Sequence, residues 1–247
     1  MAQVIERINV CTFNCRSVKS SVNEISDLCL DCDIICLQEH WLLPNEVNFL
    51  GSINGDFLST GNSAVDVGRD VLVGRPFGGT GILYRKSLSE YITIVDTNDD
   101  RISAIILNSV HGPVLLVSVY MPTDYRDSEC FEDYIATCAS ISALYQECDV
   151  NHMLVAGDFN CHVGSRFFDI FLNFASENNL QQSDITRLND DTFTYNNDAG
   201  TALSWIDHIL CSSIIDSMVS RCTVRYDLVS SDHKPLLITF DGLLNFV

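Results

Sequence analysis

The chain has 247 residues, 47% of them hydrophobic, with a mean hydropathy of +0.15. This composition can bury a large core, and with only 5 prolines and no Ser/Gly/Pro-rich linker it predicts a single domain over residues 1–247. The 33 acidic and 14 basic residues give a formal net charge of -19. That charge argues against tight, unaided binding to nucleic acid, because phosphate contacts require basic side chains.

The cysteines and the apolar segments bear on where the protein works. The sequence begins without the charged segment and apolar run of a secretory signal, and no stretch reaches the roughly 18–20 apolar residues of a membrane span. We therefore expect an intracellular monomer that contacts no membrane and whose cysteines are reduced and mostly buried. A zinc site at Cys29, Cys32 and Cys36 is the alternative, but no second Cys/His pair follows at zinc-finger spacing.

In the first third of the chain, three regular segments precede a long loop. Residues 8–13 predict a strand, residues 20–30 a helix, and residues 33–39 a short buried strand that ends on a polar Gln-Glu pair. Residues 51–79 contain many glycines and no sustained periodicity, so we expect an irregular loop with one strand at most.

The rest of the chain alternates strands with two further helices. The clearer helix covers residues 130–145, and another amphipathic helix covers residues 166–178. The predicted strands cover residues 81–85, 91–95, 102–107, 114–120, 153–156, 192–195, 206–211, 218–224 and 236–240. Many strands with few interleaved helices predict an α/β (α+β) fold, a four-layer sandwich of two packed mixed β-sheets with helices on the outer faces.

Polar residues that could carry chemistry fall at the ends of these apolar strands, where a rigid sheet can hold them. Asp158 and Asn160 follow the strand over residues 153–156 and, at extended spacing, face the same side. The Asp could orient or deprotonate a water, and the Asn could bind a phosphate oxygen. Taken alone, the pair fits a turn that closes a strand equally well.

The remaining candidates lie at other strand ends. Glu39 suits a hard cation such as Mg²⁺, and the phenol of Tyr120 could donate to a developing oxyanion. Asp232 and His233 precede the last strand, and an isolated pair of this kind is more often a surface turn. Here His233 could polarise a phosphoryl oxygen while Asp207 fixes the tautomer of its imidazole.

In chain order the motifs are Asn-Cys-Arg, Gln-Glu, Gly-Thr-Gly, Tyr-Met-Pro, Gly-Asp-Phe-Asn, Ser-x-Ile-Asp and Ser-Asp-His. This ordered set resembles the endonuclease/exonuclease/phosphatase family over essentially the whole chain. The sequence around the motifs is most similar to the endonuclease domain of LINE-type, non-LTR retrotransposons. The resemblance implies nicking of DNA with Mg²⁺ or Mn²⁺, a reverse transcriptase downstream in a longer polyprotein, and action in the nucleus.

Carried over position by position, the resemblance also implies roles for single residues. The metal would be held by Glu39, Asn14 and Asp232. The catalytic residues would be Asp158, His233, Asp207, Tyr120 and Asn160, with water attacking the phosphodiester in line. The candidates for substrate binding are Asn14, Arg16, Arg126, Ser204 and Trp205. Arg16 and Arg126, with Arg69 and Arg75, lie in loops next to the motifs and could form a basic rim, with ordinary solvated charge as the alternative. Residues 196–200 are turn-rich and predict a hairpin tip, beside which Trp205 could stack on a sugar or base or be buried. His40, Trp41 and His208 are interpreted as core residues or as neighbours of the catalytic ones.

Two departures separate this chain from the abasic-site enzymes of the family. Those enzymes carry a carboxylate where this chain has Arg16, so the metal would depend on Glu39 with fewer protein ligands and more water. They also carry an Asn where this chain has Thr123, which favours general nicking of DNA over abasic-site repair.

Other functions stay open at this point. They are cleavage of RNA or of small-molecule or lipid phosphodiesters by the same fold, and a catalytically inactive, domesticated nucleic-acid-binding domain.

Overall fold

The computed structural model describes residues 7–65, 74–197 and 199–244. The strands of this part are β1 (Arg7–Asn14), β2 (Ile34–Gln38), β3 (Phe57–Asn62), β4 (Thr80–Arg85), β5 (Ile92–Val95), β6 (Ile102–Ser109), β7 (Gly112–Tyr120), β8 (His152–Asp158), β9 (Leu180–Gln182), β10 (Tyr195–Asn196), β11 (Leu203–Ser204), β12 (Asp207–Ser212), β13 (Val219–Val224) and β14 (Leu236–Asp241). The α-helices are α1 (Val22–Asp31), α2 (Ser128–Glu147), α3 (Phe168–Glu177) and α4 (Ser213–Ser217), and 3₁₀ helices cover Pro44–Ser52 and Lys86–Tyr91.

Most of these strands belong to two six-stranded sheets. Sheet I has the order β13-β14-β1-β2-β4-β3, sheet II has the order β5-β6-β7-β8-β12-β9, and β10 and β11 form a separate hairpin. Among the described strands each sheet contains one parallel pair, β1 with β2 in sheet I and β7 with β8 in sheet II. A parallel pair needs a crossover connection, and α1 and α2 provide the two crossovers.

Three apolar clusters fill the spaces between the layers. One lies between the two sheets and includes Val10 and Leu116. Another packs the outer face of sheet II against α2 and α3 through Tyr134 and Phe171, and a third packs sheet I against α1 through Leu28. The predicted four-layer sandwich of two mixed sheets with outer helices is therefore confirmed.

Side-chain alternation along the central strands determines which polar residues face each other. In β8, Leu154 and Ala156 pack between the sheets, whereas Met153 and Val155 face the helices. Because successive side chains of a strand point to opposite faces, Asp158 continues the inner set. By the same alternation the inner positions at the ends of three other strands are held by Asn14, Tyr120 and Asp207.

The predicted segments are found with shifts at their ends. α2 begins before residue 130 because the Asp127 carboxylate accepts the backbone N–H of Cys130 at 2.8 Å and caps the helix. The predicted strand over 192–195 is wrong for residues 192–194. The hydroxyl of Thr194 instead accepts the backbone N–H groups of Ile206 and Asp207, anchoring the start of β12.

Several short elements were not predicted, because periodicity cannot be recognised over so few residues. They are β9, α4 and the two 3₁₀ helices. The segment predicted as loop over 51–79 contains one strand, β3, and its residues 66–73, including Arg69, lie outside the described residues.

All eleven cysteines lie in the described part of the chain as free thiols, and nine of them are buried. Cys29, Cys32 and Cys36 do not form a cluster with metal-binding geometry in that part of the chain, so burial accounts for them and the zinc alternative is not supported. None of the described helices has the length and apolarity that crossing a bilayer requires.

Gly157 offers a direct test of how closely β7 and β8 approach one another. A Cβ atom at this position would lie 2.0 Å from the backbone carbonyl oxygen of Val119 in the neighbouring strand. We expect Gly157→Ala to lower the free energy of unfolding by about 3 kcal/mol, as overpacking of a rigid core does. Denaturant unfolding measures this, with Gly55→Ala as the matched control because its Cβ would meet no atom within 4 Å. Equal stability of the two variants would contradict this packing.

Candidate active site

The site lies at the edge of the sandwich where both parallel strand pairs end. Asn14 lies opposite Gln38 at the end of the pair in sheet I, and Tyr120 lies opposite Asp158 at the end of the pair in sheet II. Asp207 begins β12 opposite Asp158 in the antiparallel ladder. The inward-facing polar ends of both sheets therefore meet at one edge.

Asp158 is the centre of the hydrogen-bond network at this edge. The Asn14 amide Nδ2 donates to Asp158 Oδ2 at 2.9 Å, which joins the two sheets. The backbone N–H of Asn160 donates to Asp158 Oδ1, also at 2.9 Å, and Asn160 adopts a φ of 48°, which Asn tolerates better than most residues. With a side chain that is 2% exposed, this carboxylate is held from both sides.

His233 is oriented by a second carboxylate. Its Nδ1 donates to Asp207 Oδ2 at 2.8 Å, and its Nε2 lies 3.7 Å from Asp158 Oδ2. The backbone N–H of His233 donates to the hydroxyl of Ser231, and that hydroxyl donates to the carbonyl oxygen of Asn14. The ring of Tyr195 packs edge-on against the imidazole, with centroids 5.1 Å apart. The imidazole is fixed in tautomer and direction, with Nε2 facing Asp158.

Burial and charge set the protonation of these groups. Burial raises the pKa of Asp158 to about 7, with a further increase from Asp207 that His233 and Asn14 oppose. Burial lowers the pKa of His233, but the charges of Asp207 and Asp158 outweigh it and raise that pKa to about 10. The neighbouring carboxylates therefore favour the imidazolium form of His233, whereas burial works against the ionisation of Asp158.

Glu39 is placed by the turn that follows β2. Its Oε1 accepts from Asn14 Nδ2 at 2.8 Å, and its Oε2 accepts from the indole Nε1 of Trp41 at 3.0 Å. Burial, together with the charges of Glu39 and Asp158, raises the pKa of Tyr120. Tyr120 is thus a neutral phenol that can donate a hydrogen bond.

Asn160 has one amide contact that limits its role. Its Nδ2 donates to the backbone carbonyl oxygen of Met121 at 2.8 Å. A second Nδ2 hydrogen and the side-chain oxygen remain for the predicted contact with a phosphate group.

Arg16 and Asp232, predicted for substrate and metal respectively, face each other instead. Arg16 Nη1 donates to Asp232 Oδ2 at 2.6 Å, and the Asp232 side chain is 11% exposed. The positive charge next to the Asp232 carboxylate is therefore the guanidinium of Arg16, at the position where a metal ion was predicted. The metal role of Asp232 stays a prediction.

The other predicted substrate residues lie farther along the rim. Arg126 is exposed in the loop after β7, with a φ of 64°, and no ion pair of its side chain is found among the described residues. Ser204 pairs with Tyr195 in the β10–β11 hairpin, as the turn-rich sequence predicted. Trp205 packs on the ring of His208, with centroids 6.1 Å apart, and borders a cavity of about 420 Å³.

His208 is a core residue, which is one of the two roles that the sequence suggested for it. Its Nδ1 contacts Asp184 Oδ2 at 2.7 Å, and its Nε2 contacts the carbonyl oxygen of Cys161 at 3.1 Å. Being next to Asp207 in the strand, it points to the opposite face of sheet II. It therefore lies in the helix layer, away from the candidate site.

The donor set fits a divalent cation. Carboxylate oxygens of Asp158 and Asp207 lie within 4.8 Å of each other and of a ring nitrogen of His233, which in its protonated form offers no lone pair to a metal. Asp207 Oδ1 is buried and has no hydrogen-bond partner among the described residues, so this edge has spare acceptor capacity. Glu39 adds a further carboxylate, and oxygen ligands are those that Mg²⁺ prefers.

The sequence gave little sign of the residues that support the site from within. Thr12 Oγ1 donates to Gln38 Oε1, and Gln38 Nε2 donates to the hydroxyl of Ser118 in the opposite sheet. These contacts form a polar layer between the apolar core and the carboxylates. Alternation marks all three positions as inward-facing, which was the available signal.

The fold and the site together are those of a hydrolase with DNase I-like architecture. The chain belongs to the Endonuclease/Exonuclease/phosphatase family, whose model matches residues 11–233. No curated protein matches the sequence itself.

Solved structures share the fold at low sequence identity. The AP endonuclease LMAP from Leishmania major has a TM-score of 0.75 at 13% identity, over 96% of this chain and 88% of that chain. The 3′ phosphatase NExo from Neisseria, bound to a product DNA hairpin, has a TM-score of 0.72 at 18% identity, over 95% of this chain and 99% of its own. The endonuclease domain of TRAS1, a telomere-specific non-LTR retrotransposon, has a TM-score of 0.70 at 14% identity, over 96% and 99% respectively.

Proposed function

We propose that this chain is a divalent-metal-dependent endonuclease that nicks DNA, using Mg²⁺ or alternatively Mn²⁺. The observation that carries the proposal is the meeting of Asp158, Asp207 and His233 at one edge of the two sheets. Asn14 joins Asp158 to Glu39 there through hydrogen bonds of 2.9 and 2.8 Å. Membership of the nuclease and phosphatase family supports phosphoester hydrolysis.

In this proposal each residue has a defined part in the reaction. The ionised carboxylate of Asp158 takes a proton from the water that attacks phosphorus, while the bond to the departing sugar oxygen breaks and that oxygen takes up a proton from solvent water. His233, held by Asp207 at 2.8 Å, donates Nε2–H to a non-bridging phosphate oxygen. The neutral phenol of Tyr120 donates to the same developing charge.

A divalent cation, held at Glu39 and at the oxygen donors beside it, would supply positive charge for the phosphate oxygens. The Arg16–Asp232 ion pair leaves fewer protein ligands for that cation than two free carboxylates would. We therefore expect the metal to be bound weakly and to retain several waters.

The weak basic character of the site bears on how DNA is held. Arg16 is paired with Asp232, and Arg75 is stacked on Trp41, which leaves Arg126 as the more available cation at this rim. We propose that other domains of a longer retrotransposon polyprotein, which includes a reverse transcriptase, provide most of the DNA affinity and act with this monomeric domain in the nucleus. Tight binding of duplex DNA by the purified chain at physiological salt would contradict this.

Nicking of supercoiled plasmid tests the proposed activity. We expect open-circular product with Mg²⁺ and none with EDTA, and no product from identically purified Glu39→Gln, which excludes a contaminating nuclease. Parallel assays use single-stranded RNA and a small aryl phosphodiester. Cleavage confined to either of these would replace DNA as the substrate, and no turnover of any substrate by a folded, Mg²⁺-binding protein would favour the inactive binding domain.

A further inference from the structure

We propose that Trp41 is a positioning residue that holds the Glu39 carboxylate for the divalent cation. This inference rests on the metal dependence proposed above. Trp41 lies two residues after Glu39, and its indole Nε1 donates to Glu39 Oε2 at 3.0 Å. The indole is thus aimed at the residue that the metal would need most.

The two hydrogen bonds to Glu39 form a clamp. Asn14 Nδ2 holds Oε1 at 2.8 Å while Trp41 Nε1 holds Oε2. The Tyr120 phenol interacts with the same carboxylate. Because each carboxylate oxygen has two acceptor positions, these contacts still leave acceptor capacity for a cation. With both oxygens held, the carboxylate need not be ordered when metal binds.

The turn that carries Trp41 is held in an unfavourable backbone conformation. Glu39 and Trp41 have φ angles of 53° and 56°, in the left-handed region that residues other than Gly and Asn rarely adopt. The backbone N–H of Trp41 donates to the carbonyl oxygen of Gly78 at 3.1 Å, and the buried ring of His40 fixes the residue between them. Strain of this kind is retained where the surrounding structure requires one geometry.

The environment of the indole ring does not suggest a packing role. Trp41 belongs to none of the three apolar clusters of the described residues. Instead, the guanidinium carbon of Arg75 lies 4.1 Å from the ring centroid. A ring covered by a cation and hydrogen-bonded to a carboxylate is held in one orientation, with its N–H on Glu39.

Calorimetric titration with Mg²⁺ tests the inference on the whole chain. Trp41→Phe keeps an aromatic ring under Arg75 and removes the N–H, so we expect the affinity for Mg²⁺ to fall about 10-fold, as loss of a group that orients a metal ligand does. The Mg²⁺ concentration for half-maximal nicking should rise by the same factor, with little change in the rate at saturating metal. The melting temperature should stay near that of the wild type.

Two further variants make the titration specific. Glu39→Gln should bind no Mg²⁺ in the same range. Trp205→Phe removes the other tryptophan of the chain, whose Nε1 has no hydrogen-bond partner among the described residues, and should bind Mg²⁺ like the wild type. In this variant Trp41 is the remaining tryptophan, and its fluorescence should change with Mg²⁺ along the calorimetric binding curve.

The outcomes separate this inference from the proposed function. If Trp41→Phe binds Mg²⁺ as tightly as the wild type, the positioning role is overturned and the metal-dependent nuclease stands. A large fall in melting temperature without a change in affinity would assign Trp41 to packing and also overturn it. If the wild type binds no Mg²⁺ or Mn²⁺, the metal-dependent function and the inference both fail.

Discussion

Asp158→Asn is expected to lower the rate of plasmid nicking about 10³-fold, within the range that proton transfer by a positioned group contributes. The amide has nearly the shape of the carboxylate and can still accept from Asn14 or Asn160. It cannot take a proton from water, and it removes one of the three negative charges, those of Asp207, Asp158 and Asp232, that favour the protonated form of His233.

The stability of this variant at neutral pH should stay close to that of the wild type, because two effects oppose each other. Burial raises the pKa of Asp158 to about 7, so the ionised carboxylate is penalised once the pH exceeds its ordinary pKa, and the amide removes that penalty. The single oxygen of the amide leaves one of the two donors, Asn14 Nδ2 or the backbone N–H of Asn160, without its partner. Asp158→Asn should therefore melt close to the temperature of the wild type.

Nicking kinetics and thermal melting of the same preparation check both parts. Activity retained within a few-fold would remove Asp158 from the mechanism. A loss of activity accompanied by a large fall in melting temperature would show instead that the residue is needed for folding.

Asp207→Asn is expected to lower nicking activity and Asp184→Asn to lower stability, although each residue pairs with a histidine. Asp207 lies 2.8 Å from His233 Nδ1, and Asp184 lies 2.7 Å from His208 Nδ1, with both carboxylates almost fully buried. The first pair lies at the edge between the two sheets, beside Asp158, and the second lies beneath α3. The chemistry of the two pairs is the same, and their positions differ.

For Asp207→Asn we expect loss of nicking by about 10³- to 10⁴-fold, as when an Asn in place of the orienting Asp leaves a catalytic histidine in the wrong tautomer. Some fall in stability is expected as well, because the Asp207 side chain is 1% exposed and holds His233 in a buried pair, so the nicking rate is expressed per folded protein. Nicking kinetics at saturating metal measure this loss.

For Asp184→Asn we expect loss of about 3–5 kcal/mol of unfolding free energy, the cost of leaving a buried charge without its partner. Burial lowers the pKa of His208, but the charge and hydrogen bond of Asp184 raise it by more, so the pKa is raised overall. Stability from the protonated histidine is fully present below its ordinary pKa and is lost as the pH rises through the raised value. Urea unfolding at mildly acidic pH should therefore give the largest difference.

Nicking by the folded fraction of Asp184→Asn should stay close to that of the wild type, because neither Asp184 nor His208 faces the site. If both variants lost activity to the same degree at equal stability, the two pairs could not be divided into a catalytic and a structural one. If Asp207→Asn unfolded the protein and Asp184→Asn did not, the division would be reversed.

The position of polar residues at the ends of apolar strands predicted much of the candidate site from the sequence. Tyr120, Asp158 and Asp207 were selected because each ends or begins an apolar strand, and Asn14, at the end of a further strand, was given its role by the family resemblance. All four lie at one edge of the sandwich. The period of two along a strand is a local property of the backbone, so it can be recognised without knowing which strands pair.

Contacts between residues far apart in the sequence were not predictable in this way. Arg16 was predicted for substrate and Asp232 for metal, yet 216 positions apart they form an ion pair at 2.6 Å. Trp41 was left as a core residue or a neighbour of the site, and the direction of its indole N–H follows from a turn held against Gly78 and Arg75. Such contacts depend on how the loops meet after the sheets have packed.

The sequence by itself determined the layers, the central strands and the chemistry available at their ends, because apolar periodicity and residue type are written locally in the chain. The tertiary structure alone decided that β1 and β8 bring Asn14 against Asp158, that the indole of Trp41 donates to Glu39, and that Arg16 faces Asp232. Each of these depends on sheet order and on the packing of one sheet against the other. No segment of the chain specifies that packing by itself, because its free energy comes from the whole core.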